Sequence, residues 1–149
     1  MINGIFHAHS GLRYLVLIAG VVALIVMAMG AFGQRPFGKP SRISLAAFSG
    51  LLDLQILLGI VMVVLGCFYG ALMGHLMMMI VAAVALHGLS VYARKQADPR
   101  RAHTIGLVGV VLAVALIVGG ISAIGRSPVG SSGHPTCTAE GNPAASNPS

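Results

Sequence analysis

Residues Gly11 to Gly33 form one apolar run broken only by Arg13, and three further runs of comparable length follow along the chain. A helix rises about 1.5 Å per residue, so about 20 apolar residues match the ~30 Å hydrocarbon thickness of a bilayer. Backbone polar groups inside hydrocarbon must satisfy one another, and a helix does this within a single segment. The expected fold is therefore all-α, an integral membrane four-helix bundle with spans at about 11–33, 43–68, 72–92 and 104–124. Ile5 is the earliest start for the first of them. Composition points the same way: 8% of the 149 residues are charged, against about 25% in soluble domains, which is too little polar surface to cover a water-soluble fold.

The segments between the runs read as loops for stated reasons. Gln34 to Arg42, QRPFGKPSR, carries two prolines, a glycine and three cations, and ARKQADPRRAH is a second polar stretch with a proline; both break helices. CFYGALMG makes a tight corner between spans two and three. Residues 1–125 thus form the four-span domain. Residues 126–149 form a tail rich in Ser, Gly and Pro with too little apolar surface to offset the entropy of ordering, and it is expected to be irregular. The N-terminal MINGIFHAHS has neither a positive n-region nor a small-residue cleavage pattern, so span one is expected to be retained.

The net charge of +6 resembles a nucleic-acid footprint only until the cations are located. Arg35, Lys39 and Arg42 lie in the first loop, and Arg94, Lys95, Arg100 and Arg101 lie in the second, without aromatic interleaving or a binding motif. They read as determinants of topology, not as a nucleic-acid surface. Both loops should then be cytoplasmic, and both termini, with the corner after span two, should face the outer, periplasmic side of a bacterial inner membrane. The expected partners are membrane lipid and a larger membrane complex or redox protein.

Polar residues within the spans are costly and mark function or interhelical contact. Histidine is the most informative, because a neutral imidazole is tolerated near hydrocarbon and binds haem iron or other transition metals. His7, His9 and His75 gather at the outer end, whereas His87 and His103 lie toward the inner end. His75 and His87 are twelve residues apart on one span, about 18 Å of rise and about 120° of rotation, so they do not share a face. His9 and Arg13 do share one; His9 there suits iron ligation, and Arg13 suits either a haem propionate or a snorkelled headgroup contact. His87 reads as a ligand or as an interhelical hydrogen bond, and His103 as a ligand or as a solvated helix-start residue. His134, in the tail, has no expected role.

Asp53, with Gln55 close by on span two, is the only acidic residue inside a span, and it must be protonated or paired. Its expected partner is His87, as a group orienting the imidazole, as a proton-relay station or as a neutral interhelical hydrogen bond. Met73, Met77, Met78 and Met79 around His75 offer a thioether and imidazole set that suits Cu(I); flexible packing is the alternative role for these methionines. Cys67 and Cys137 both fall on the oxidising side, where a disulfide would tie the tail to span two. There is no phosphate loop, nucleophile elbow, zinc-protease motif or c-type haem motif, so no catalytic residue is assigned.

Together, HAHSGLRYLVL, QRPFGKPSR, LDLQILLG, GHLMMM and the stretch from ALHG to RRAH resemble a family of small bacterial four-span membrane proteins often labelled cytochrome-b-like, over most of residues 5–120. The resemblance implies a haem b protein of electron transfer, alone or as a small subunit of a respiratory or photosynthetic complex. His9 would open span one in an HSxLRW-like motif with Arg13, and Tyr14 replaces the usual Trp. His75 falls in an EHPLMM-like motif with Gly74 for Glu and Leu76 for Pro; His87 and His103 match further histidines, and Asp53 occupies a position that is frequently histidine. His9 and His75 are the expected outer axial pair and His87 with His103 a second site. Two alternatives remain: a non-catalytic structural subunit of a membrane complex, and copper handling.

Overall fold

The chain's apolar runs emerge as four helices in a computed structural model that describes residues 2–33, 35–66, 70–125 and 128–129. They are α1 (Ile2–Gly33), α2 (Lys39–Val64), α3 (Gly70–Arg94) and α4 (Pro99–Ala123). No strand occurs among the described residues, and each helix is long and apolar enough to cross a membrane. The expected cysteine pair, Cys67 and Cys137, and His134 lie outside the described residues.

The helices start and stop where backbone chemistry dictates, not where hydropathy changes. Nothing between Ile2 and Gly11 breaks a helix, so α1 begins nine residues ahead of the apolar run. Proline 40 sits in the first turn of α2, where a missing N–H costs nothing. Proline 99 does the same for α4, whose start is capped by the Asp98 carboxylate accepting from the Arg100 N–H at 3.0 Å. This places the α4 start five residues before Thr104. At the other ends, α2 and α4 run into Gly66 and Gly125, whose φ values of 96° and 71° lie in the left-handed region that terminates helices. The second helix therefore closes at Val64, short of the expected residue 68.

Short loops make sequential helices antiparallel neighbours. The most extensive packing joins α3 to α4, followed by α1 with α2 and with α4; the α2–α3 seam is the loosest. Among the described residues, the backbones of α1 and α3 do not approach closely, and these two helices stand on a diagonal. Both polar loops lie at one end of the bundle, the cationic end; the corner between α2 and α3 defines the other, the corner end.

Along the axis runs a core of Val16, Ala23 and Met27 from α1, Leu45, Phe48 and Leu52 from α2, Met79, Ala82 and Leu86 from α3, and Val110, Ala113 and Ile117 from α4. Large apolar side chains such as Leu15, Ile18, Val22, Leu54, Val84 and Val111 point outward, as expected when lipid is the surrounding solvent. Small residues bring backbones close. A Cβ added to Gly106 would meet Met27 Sδ at 2.7 Å, so the Met27 thioether packs directly on the α4 backbone at that glycine.

At the cationic end His103 is 1% exposed and ties three helices together. Its Nδ1–H donates to the Pro99 carbonyl at 2.8 Å, which leaves Nε2 to accept from the Ser41 hydroxyl at 2.9 Å. Phe37 meets the ring edge-on at 4.9 Å between centroids, and the ring fills the space beside Gly30. Removing the hydroxyl with Ser41→Ala should leave Nε2 buried without a partner and destabilise the bundle by about 1–3 kcal/mol. Unfolding of the purified protein in mixed micelles measures this, and an unchanged transition would show that the contact contributes nothing.

Candidate functional site

The corner end gathers the polar residues that the core does not need. His9 and Arg13 lie one turn apart on α1, because α1 is already helical from Ile2 and both side chains face inward. Gln55 and Gly59, also one turn apart, present the facing surface of α2. The Gln55 side-chain amide donates to the His9 carbonyl at 2.9 Å and contacts His9 Nε2 at 3.2 Å. Gly59 lies against the same ring, with a Cβ there falling 3.4 Å from His9 Cε1, an ordinary van der Waals contact. One nitrogen of His9 is thus fixed, and the other, Nδ1, is buried with no hydrogen bond.

His75 reaches the same end from α3. Its ring lies against Gly120 of α4, with Nδ1 3.3 Å from where a Cβ would project. That nitrogen too is buried without a hydrogen bond, as is Gln55 Oε1. Buried polar atoms are nearly always partnered, so three bare ones at one end of a small bundle are a concentrated anomaly. His9 and His75 belong to the two diagonal helices, and both reach the corner end, where Arg13 also lies. Arg13 is 8% exposed. Its guanidinium lies 4.9 Å from the ring centroid of the exposed Tyr14 and donates to the Tyr14 hydroxyl at 3.1 Å.

Met79 also closes on Gly120, with Cε 2.9 Å from the Cβ position, and Met78 borders the same point at 3.3 Å. Met73 and Met77 face outward. The four methionines therefore divide between packing near His75 and the outer surface of the bundle.

The remaining histidines do not join this group. His103 has both ring nitrogens engaged at the cationic end. His87 Nε2 donates to both carboxylate oxygens of Asp53, at 3.0 and 2.9 Å. His87 and His103 are not brought together, and each is held by a different partner. His7 is exposed and packs edge-on against Phe6. Among the described residues no three His, Cys, Asp or Glu side chains converge as a metal-binding set.

Sequence reasoning placed Gln55 beside Asp53 but not against His9. The readable signal was the four-residue spacing of Gln55 and Gly59, which puts an amide and a gap on one face of α2. Gly120 as the floor for His75 needed the α3–α4 register. No family model, curated protein or solved structure matches the chain.

Proposed function

We propose that the corner end is a haem b site with His9 and His75 as axial ligands, in a membrane-embedded electron-transfer protein. The observation that carries this reading is the pair of half-buried imidazoles on diagonal helices, each with a buried Nδ1 that makes no hydrogen bond. Two such rings reach one end of the bundle from different helices, as bis-imidazole ligation requires; the Gln55 amide donates to His9 Nε2, so the neutral His9 ring carries its proton on Nδ1, and ligation there would move that proton to Nε2 and turn the Gln55 oxygen toward it. Haem in that position would supply one-electron redox chemistry. The chain's own residues orient and tune: Gln55 holds the His9 ring, Gly120 gives His75 a close-fitting wall, and Arg13 places a positive charge suited to a propionate. The resemblance to cytochrome-b-like membrane proteins supports the same reading, as does its implication of a small subunit serving a larger respiratory or photosynthetic complex. A reduced-minus-oxidised spectrum of protein purified from haem-replete cells should show b-type bands; a flat spectrum would refute the assignment.

A Cu(I) site is the second reading, favoured by Met79 and His75 meeting at Gly120. Metal analysis separates the two: copper that Met79→Leu removes would favour the thioether site over haem.

The cation distribution supports a bacterial inner-membrane location with both polar loops cytoplasmic. Single cysteines placed at Gln34 and Gln96, in a background lacking Cys67 and Cys137, should resist membrane-impermeant thiol reagents added to intact spheroplasts. Labelling from the outer face at either position would reverse the orientation.

A further inference from the structure

The loosest seam of the bundle holds its most expensive pair. Asp53 lies about 21 Å of helical rise from the start of α2 and about 16 Å from its end, close to mid-membrane. The side chains of Asp53 and His87 are 51% and 49% exposed at that depth, where exposure in a single chain means contact with hydrocarbon. Polar groups so deep in a bilayer almost always face protein, so this surface calls for a cover. Two glycines beside the pair add to the anomaly. Gly50, one turn from Asp53, and Gly88, next to His87, are exposed, and a Cβ at either would meet nothing within 4 Å. Glycine weakens a helix interior, and no contact among the described residues accounts for either one; membrane helices place small residues where another backbone approaches. On the corner side of Asp53 an apolar groove of about 330 Å³ continues the same face, bordered by Leu57 and Val84, which project at 56% and 69% exposure.

The bond pattern says what the cover must offer. A carboxylate only accepts, so His87 Nε2–H donates to Asp53, and Nδ1 makes no hydrogen bond among the described residues. In its protonated form the ring has one donor to spare, and the carboxylate oxygens keep lone pairs to spare. The pair is thus short of one acceptor and one donor at a single depth. We infer that the cover is a second copy of the chain, packed on the α2–α3 seam about a two-fold axis along the membrane normal, with His87 Nδ1 of each copy facing the partner's Asp53. A closed dimer of copies inserted the same way up has its axis in that direction. Rotation about it preserves depth, and Asp53 and His87 share one depth because they are bonded, so the four groups meet in one layer. Two imidazolium rings then supply four N–H donors to four carboxylate oxygens, and the layer is neutral. A foreign helix bearing one charge would match one member of the pair and oppose the other, whereas a second copy brings both in reversed order. The same rotation sets each groove opposite the other copy's projecting side chains and brings the two glycines to the contact. The inference concerns assembly alone and stands whether or not the corner end holds haem.

The test is sedimentation equilibrium of the purified full-length protein in density-matched micelles. Wild type should form a reversible dimer. Asp53→Asn, which keeps the shape and removes the charge, should weaken it about tenfold or more, because a hydrogen bond to a charged group is lost twice across the axis. Gly50→Leu should abolish the dimer, since the new side chain meets open space in the single chain but the partner's surface in the pair. Val111→Phe, on the outer face of α4 away from the seam, should leave it intact. Circular dichroism and unfolding in mixed micelles establish that each variant is folded. A wild type that stays monomeric at every protein-to-detergent ratio would overturn the proposal, as would a dimer that keeps wild-type strength in folded Asp53→Asn or Gly50→Leu, or one that Val111→Phe dissociates. A different protein, co-purifying at fixed stoichiometry and released by Gly50→Leu, would show a foreign partner on the seam and overturn it as well.

Discussion

Replacing His75 with alanine is expected to eliminate the b-type absorption bands while the protein remains helical and inserted. His75 is only partly buried, and its ring fills no tight cavity apart from the contact with Gly120, so truncation removes a donor without a large packing penalty. Bis-imidazole ligation fails when either side is missing, and among the described residues the other histidines are engaged elsewhere: His103 is locked to Ser41 and Pro99, His87 to Asp53, and the exposed His7 packs on Phe6. His9→Ala should behave alike. Haem content equal to wild type in a folded His75→Ala protein would mean that the ligand lies elsewhere.

The opposite signature is expected at the cationic end from the smallest substitution available. A Cβ on Gly30 would fall inside the His103 ring, so Gly30→Ala forces the imidazole out or drives α1 away from α4. Overpacking of this kind costs about 1–3 kcal/mol, and the displaced ring also abandons its bonds to Ser41 and the Pro99 carbonyl. The total loss should be about 3 kcal/mol or more, read from unfolding in mixed micelles, with haem content per folded chain unchanged. A methyl group that costs less than about 0.5 kcal/mol would show that α1 and α4 slide freely there, contrary to close packing at this end.

These two substitutions separate what was legible in the sequence from what was not. The four helices could be read because apolar length is a one-dimensional property, and the 22 residues from Leu12 to Gly33 contain only one charge, Arg13. Their true starts were harder, since hydropathy reports where hydrocarbon lies, whereas Asp98 and Pro99 decide where α4 begins. Asp53 with His87 could be anticipated because a carboxylate at mid-span must find a partner. The contact of Gln55 with His9 and the burial of His75 against Gly120 depend on how far one helix slides past another. No local pattern records that register. Likewise, His103 carries the signs of a solvated loop residue, four cations close by and a proline four residues before it, and only the third dimension shows it closed in by Gly30, Phe37 and Ser41.

Two imidazoles from diagonal helices sharing one cofactor are the centre of the proposed haem site. Haem quantified as its pyridine haemochrome against protein mass, with low-temperature electron paramagnetic resonance on the oxidised sample, tests that directly. One haem per chain with a low-spin bis-histidine signal, lost in both His9→Ala and His75→Ala, is the predicted result. A chain isolated from haem-replete membranes with no haem, or with a signal that survives both substitutions, would contradict it.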